Sequence, residues 1–170
     1  MFDENKYYSL LNSLDKDLPK RIDGSIDYTN ATKAAVITIF IKYENKILIL
    51  KRSDQVLTYK GKWNTVAGYL DQVKPIMDKV YEELREEVGI SKEDINMFYL
   101  GDSYSFEDNY IEKIWIIYPI LVILEKKPEI ILDWEHTDYK WIEPSMISSY
   151  NIVPNMAKSL EMVIKEFESQ

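Results

Sequence analysis

Between Lys74-Pro75 and Gly89 the chain places an apolar residue at every fourth position, Ile76, Val80, Leu84 and Val88, with Met77 and Tyr81 widening the same stripe. This spacing predicts an amphipathic helix with one side laid on a core, Pro75 suited to its first turn and Gly89 to its end. At about 100° per residue, Glu83, Glu86 and Glu87 stand at i, i+3 and i+4, so three carboxylates share one arc beside the apolar stripe. Like charges at that spacing cost about 0.2–0.5 kcal/mol per pair, and near a helix C-terminus the macrodipole disfavours anions further. Two arrangements relieve the crowding. One is a solvated acidic face with Lys79 and Arg85 nearby; the other is a set of hard oxygen donors for a divalent cation such as Mg²⁺, which commonly links carboxylates to substrate phosphate.

The flanking sequence supplies strands. Ala34 to Ile41 is β-branched and apolar, Tyr43-Glu44-Asn45-Lys46 reads as a turn, and Ile47 to Leu50 resumes, which predicts a hairpin with one buried strand. Further strands are expected at 97–105, at 112–125, where Pro119 implies an edge position or a bulge, and at 139–142. A short helix over residues 4–15 would carry Tyr7, Tyr8, Leu11 and Leu14 as an appendage, and a last helix from about Pro154 would bury Met156, Leu160, Val163, Ile164 and Phe167. Strands and helices do not alternate strictly, so the expected class is α+β, a mixed sheet between helices.

Length and composition bound the function. The 170 residues suit one domain, and 46% apolar with 29% charged residues is ordinary for a globular protein. The longest apolar run, Ile114 to Leu124, has eleven residues and includes Pro119, short of the roughly 20 that span a bilayer. No membrane helix or secretion signal is expected, and without cysteine there is no disulfide or thiolate metal site, so a cytoplasmic location is the default. A net charge of −8 disfavours nucleic-acid backbones as partners.

The segment from Gly68 to Ile90 resembles the Nudix box, G-x5-E-x7-R-E-U-x-E-E-x-G-U, where U is a bulky aliphatic residue. Gly68, Glu83, Leu84, Glu86, Glu87, Gly89 and Ile90 match seven of its nine specified positions with no gap. The similarity extends outward through Lys51-Arg52-Ser53 and Gly61-Lys62-Trp63 to Glu135-His136-Thr137-Asp138-Tyr139-Lys140-Trp141. Two positions depart: Lys74 stands where the box has Glu, and Glu82 where it has the Arg that steadies the neighbouring catalytic Glu. Arg85, one turn on from Glu82, would be a partial substitute. The resemblance implies the Nudix fold over residues 33–145, with residues 1–32 as an extension carrying the short helix and 146–170 as a C-terminal helix packed on the same domain.

It also implies the site. By position, Glu83, Glu86 and Glu87 and the carbonyl of Ala67 are metal ligands, Glu83 or Glu135 takes a proton from water, and Arg52 and Gly68 contact substrate. Lys60 and Lys62 are further candidates for phosphate, or ordinary surface charge. Trp63, Tyr69 and Tyr104 would stack on a base or pack the rim, and His136, the only histidine, would act as a base or as a packing residue. The implied activity is Mg²⁺-dependent cleavage, Mn²⁺ substituting, of a diphosphate linkage in a small nucleoside-diphosphate-X type molecule. The E-H-x-x-Y-x-W stretch is similar to one in dihydroneopterin triphosphate pyrophosphatases and favours a nucleoside or pterin triphosphate. Coenzyme A-like molecules and nucleotide sugars are the other substrates to consider. The alternative is a catalytically impaired Nudix-fold module that binds a nucleotide or partner, and a homodimer is compatible with either.

Overall fold

The computed structural model describes residues 2–169. Helix α1 (Glu4–Asp17) is followed by strands β1 (Lys33–Tyr43), β2 (Lys46–Arg52), β3 (Trp63–Asn64) and β4 (Val66–Tyr69). Helix α2 (Ile76–Val88) comes next, then β5 (Ile95–Leu100), β6 (Tyr104–Asp108), β7 (Lys113–Leu124), β8 (His136–Ile142) and helix α3 (Met156–Glu168). The strands form one mixed sheet: β1 runs parallel to β7 along its whole length, and the other strand pairs are antiparallel. The fold is α+β with a mixed sheet between helices, as the segment order implies.

Strand β1 organises both the core and the site through its period of two. Ala35, Ile37, Ile39 and Ile41 face one side, where they meet α1 and the Ile76–Val80–Leu84–Val88 stripe of α2. Phe40 faces the other side and joins Leu121 and the Leu160 and Val163 face of α3 in a second core. On that side, nearer the start of the strand, Val36 and Thr38 are left to line a cavity. Both strands of the β1–β2 hairpin are buried, not one. They pair only at Lys42–Ile47 and Tyr43–Lys46 before β1 turns to β4 and β2 to β8 and β3, so each is covered on both sides.

Pro119 belongs to an interior strand, flanked by β1 on one side and by β5 and β6 on the other. It is tolerated because the ladder breaks opposite it. Pairing stops at Leu100–Ile120 and resumes at Tyr104–Ile117, which divides the strand expected at 97–105 into two. In the gap, the Gly101 amide donates to the Pro119 carbonyl at 2.9 Å, and a Cβ on Gly101 would lie 3.0 Å from the proline ring. Helix α1 is built into the first core: Tyr7 and Leu11 are fully buried, Tyr7 packs edge-on against Tyr118, and its hydroxyl donates to the Lys74 carbonyl at 2.8 Å. No helix among the described residues is long and apolar enough to cross a membrane.

Candidate active site

With Val80, Leu84 and Val88 fully buried, rotating α2 by one residue would push charge into the core, so the register of its carboxylates is fixed. That register separates the three glutamates. Glu83 and Glu87 are buried, at 9% and 3% exposure, whereas Glu86 is exposed. Glu83 lies directly under Gly68 of β4, where a Cβ would come 2.3 Å from its Oε1. The box glycine is therefore a place where a carboxylate must approach backbone closely.

Lys79, one turn earlier and 7% exposed, places Nζ 2.7 Å from Glu83 Oε1, 3.6 Å from Glu82 Oε1 and 3.7 Å from Asp71 Oδ1. Burial pulls the ammonium toward neutrality, but the facing carboxylates, Glu83 first, outweigh it and keep Lys79 charged. Burial likewise raises Glu83, with Lys79 acting against it and Glu86 adding to it. Glu87 is raised well above the ordinary carboxylate range, by burial first and then by Glu83, Glu135 and Asp133.

The two departures from the box meet each other. Lys74 Nζ lies 2.5 Å from Glu82 Oε2, and Lys74 and Lys79 together hold Glu82 below the usual range despite partial burial. Arg85, the expected compensator, is exposed on the outer side of the helix, and the lysines take its place.

Of the residues carried over from outside the helix, Glu135, Arg52, Ala67 and Gly68 line the same cavity as Glu83 and Glu86. Burial raises Glu135, Asp133 adding to it and Arg52 opposing it. The Arg52 guanidinium is partly committed: Nε and one Nη donate to the Thr58 carbonyl at 3.0 and 2.8 Å, which anchors the loop after β2. His136 is buried with Nδ1 3.4 Å from Asp133 Oδ1 and 3.9 Å from Glu87 Oε2, without a well-formed hydrogen bond. Burial pulls it toward the neutral form, and it sits behind Glu87 as a packing residue. Lys62 lies over the Tyr59 ring, and neither it nor Lys60 reaches the cavity wall.

The cavity holds about 410 Å³, within the range of small-molecule sites. Away from the carboxylates its wall is aromatic and apolar: Tyr69, Trp115, Phe106, Ile117 and Val36. Tyr69 and Trp115 approach at 5.9 Å, while Phe106 and Trp115 are cross-strand partners on β6 and β7. Tyr59 closes this end, donating its hydroxyl to Asp108 at 2.5 Å. Of the three aromatics expected, only Tyr69 lines the cavity. Trp63 packs on Tyr150, and the Tyr104 hydroxyl pairs with Ser159 of α3. Phe106, Trp115 and Asp108 escape a reading by motif. The signal for Trp115 and Ile117 is the period of two on β7, which puts them on the face opposite Tyr118 and Ile120.

The donor chemistry fits a divalent cation: buried carboxylates crowded so closely that Glu87 is driven toward protonation are relieved by a bound positive charge. Glu83, Glu86, Glu87 and Glu135 are the side chains to hold it. Among the described residues, no three Asp, Glu, His or Cys side chains already converge as a complete ligand set.

Comparison with known proteins agrees with this geometry. The sequence profile of the NUDIX domain matches residues 31–163. The nucleoside triphosphatase NudI of Escherichia fergusonii is 24% identical over 132 residues, spanning 75% of this chain and 94% of that protein. Among solved structures, the MutT protein of Methanosarcina mazei Go1 superposes with a TM-score of 0.65 at 22% identity, covering 80% of this chain and 96% of its own. A C. elegans Ap4A hydrolase binary complex gives 0.64 at 17%, covering 81% and 99%. A box that puts the buried Glu83 carboxylate under its glycine in the wall of a cavity, and a profile match across most of the chain, make this protein a member of the Nudix hydrolase family.

Proposed function

We propose that this protein hydrolyses a phosphoanhydride bond in a nucleoside triphosphate, with Mg²⁺ held by Glu83, Glu86, Glu87 and Glu135 and by the carbonyl of Ala67. The observation that carries this reading is the polarity of the cavity, Glu83, Glu86 and Glu135 at one end and at the other an aromatic wall whose one carboxylate, Asp108, is engaged by Tyr59. Phosphates with their cation belong at the first end and a flat base at the second. The relatives named nucleoside triphosphatase make that substrate class the first to test.

When bound, the cation would neutralise phosphate oxygens and acidify a water. The chain's own groups do the rest. Lys79 occupies Glu83 Oε1 at 2.7 Å, which suits Glu83 to ligation rather than to accepting a proton. Glu135, raised by burial, is better matched to take the proton as water adds to phosphorus and the bridging P–O bond breaks, releasing phosphate or pyrophosphate. This narrows the choice between Glu83 and Glu135 as base. Arg52 retains guanidinium N–H groups beyond those given to Thr58, and these are suited to a phosphate oxygen.

The alternative of a binding module draws on Lys74 and Glu82. Because those two residues neutralise each other, they are no argument for a disabled site. The test is phosphate release from nucleoside triphosphates, a pterin triphosphate, dinucleotides, nucleotide sugars and coenzyme A, each with Mg²⁺ and with chelator. Mg²⁺-dependent turnover highest on a nucleoside triphosphate is expected. Binding without turnover on every substrate overturns the hydrolase reading in favour of the module.

A further inference from the structure

Four residues at the base of the candidate site form a line of alternating charge: Lys74, Glu82, Lys79, Glu83. Glu82 uses both oxygens, Oε2 with Lys74 at 2.5 Å and Oε1 with Lys79 at 3.6 Å, and Lys79 passes on to Glu83 at 2.7 Å. Residues 79, 82 and 83 stand at i, i+3 and i+4 on α2, so the helix itself sets their spacing. Lys74 precedes the helix, and its backbone is tied by the hydroxyl of Tyr7, from a helix that lies before the matched family domain. Lys79 is one of the few buried charged side chains of the molecule, and an ammonium that well covered persists only because carboxylates surround it.

Set against the box, position 74 has exchanged a negative residue for a positive one, position 82 the reverse, and the two side chains touch. We infer that Lys74 and Glu82 are a charge-reversed pair replacing the Glu and Arg of the box, and that Lys79 has taken over from the missing arginine the holding of Glu83. The pair keeps the turn before α2 closed on the helix, while Lys79 holds the Glu83 carboxylate aimed beneath Gly68. Lys74, Glu82 and Lys79 are positioning residues, acting on the site through Glu83. This deepens the proposed function and rests on it for the meaning of Glu83, but the arrangement itself is testable without turnover.

The test is a charge-swap set. Lys74→Glu alone sets a carboxylate against Glu82, and Glu82→Arg alone sets a guanidinium against two lysines. Each is expected to lower the melting temperature of the metal-free protein and to weaken Mn²⁺ binding, read by electron paramagnetic resonance. The double variant Lys74→Glu/Glu82→Arg is expected to recover both. Lys79→Met, of similar volume, is expected to weaken Mn²⁺ binding about 10–100-fold in the native background. In the double-swap background, where the arginine is back, it should cost less than about threefold. A double variant no better than its worse single parent overturns the pairing, and an equal Lys79→Met penalty in both backgrounds overturns the takeover by Lys79. If the native protein cleaves nothing on the substrate panel, the proposed function falls while these melting and Mn²⁺ measurements still decide the inference.

Discussion

At the carboxylate end of the cavity, Lys79, Glu83 and Glu86 come from one helix, with Glu82 and Glu87 beside them on it. At the aromatic end, Val36, Tyr59, Phe106, Trp115 and Ile117 come from β1, β6, β7 and a loop far apart in the chain. The first end is held by directional, charged contacts of 2.5–3.7 Å, where each group is balanced by the next. The second is held by ring packing at 5–6 Å and by area. Charge at short range is unforgiving, whereas apolar area is lost in proportion to the atoms removed. Substitutions should therefore act steeply at one end and gradually at the other.

The steepest effect belongs to Glu87 and Glu86, the buried and the exposed ligand proposed on α2. Residues one shell away from a metal cost about 10–100-fold when changed, so direct ligands should cost more. Glu87→Gln and Glu86→Gln are each expected to lower Mg²⁺-dependent kcat by more than about 100-fold. Steady-state kinetics on the best substrate of the panel reads this, and normal kcat in both variants would move the metal to other residues.

Gly68→Ala tests the same end without touching charge. Its Cβ would lie 2.3 Å from Glu83 Oε1 and 2.4 Å from Cδ, so the carboxylate must move. The obstacle is the end of a flexible side chain, and the melting temperature should fall by only about 2–4 °C, the shift for about 1 kcal/mol in a domain of this size. Loss of kcat by about 10–100-fold is expected, because a displaced Glu83 also leaves Lys79. Full activity would show that the position of Glu83 is not critical.

The same contrast explains what the sequence discloses. The carboxylate end lies within one helix, and its periods of three and four are written in consecutive residues, so Glu83, Glu86, Glu87 and the apolar stripe can be read directly. Even there, the burial of Glu87 and the exposure of Glu86 depend on the sheet beneath the helix. The aromatic end depends on pairing β6 and β7 in one register, and nothing local in Phe106 or Trp115 announces the partner. Trp63 and Tyr104 are the complementary case, aromatics close in sequence to promising neighbours that α3 and Tyr150 draw away from the cavity. Pro119 is legible as an interruption, but only the break between β5 and β6 shows that the strand around it is interior.

At the aromatic end, Trp115→Ala should be gradual. Stacking of an aromatic side chain on a base contributes about 1–3 kcal/mol. An increase of about tenfold in KM for a nucleoside triphosphate, with kcat within about threefold of native, is the expected outcome. A fall in kcat as steep as that of Glu87→Gln would erase the distinction between the two ends.

The smallest effect is read in stability alone and concerns Glu87 without its cation. Burial, then Glu83, Glu135 and Asp133, raise its folded pKa well above the unfolded carboxylate value of about 4.3. A raised acid binds its proton more tightly in the folded state, so its contribution is fully present below the unfolded pKa and is lost as pH rises through the folded one. Chelator-treated native protein should thus lose stability from mildly acidic pH toward neutral, and Glu87→Gln, which stays neutral throughout, should escape that part of the loss. The two proteins are expected to melt alike near pH 4, with the glutamine variant the more stable at pH 7, although it is the less active. Added Mg²⁺ should raise the melting temperature of the native protein more than that of the variant, since the cation replaces the proton as the partner of Glu87. If the gap between the two proteins does not widen with pH, the folded protein does not hold the Glu87 proton more tightly than the unfolded chain, and its crowding by Glu83, Glu135 and Asp133 is overturned.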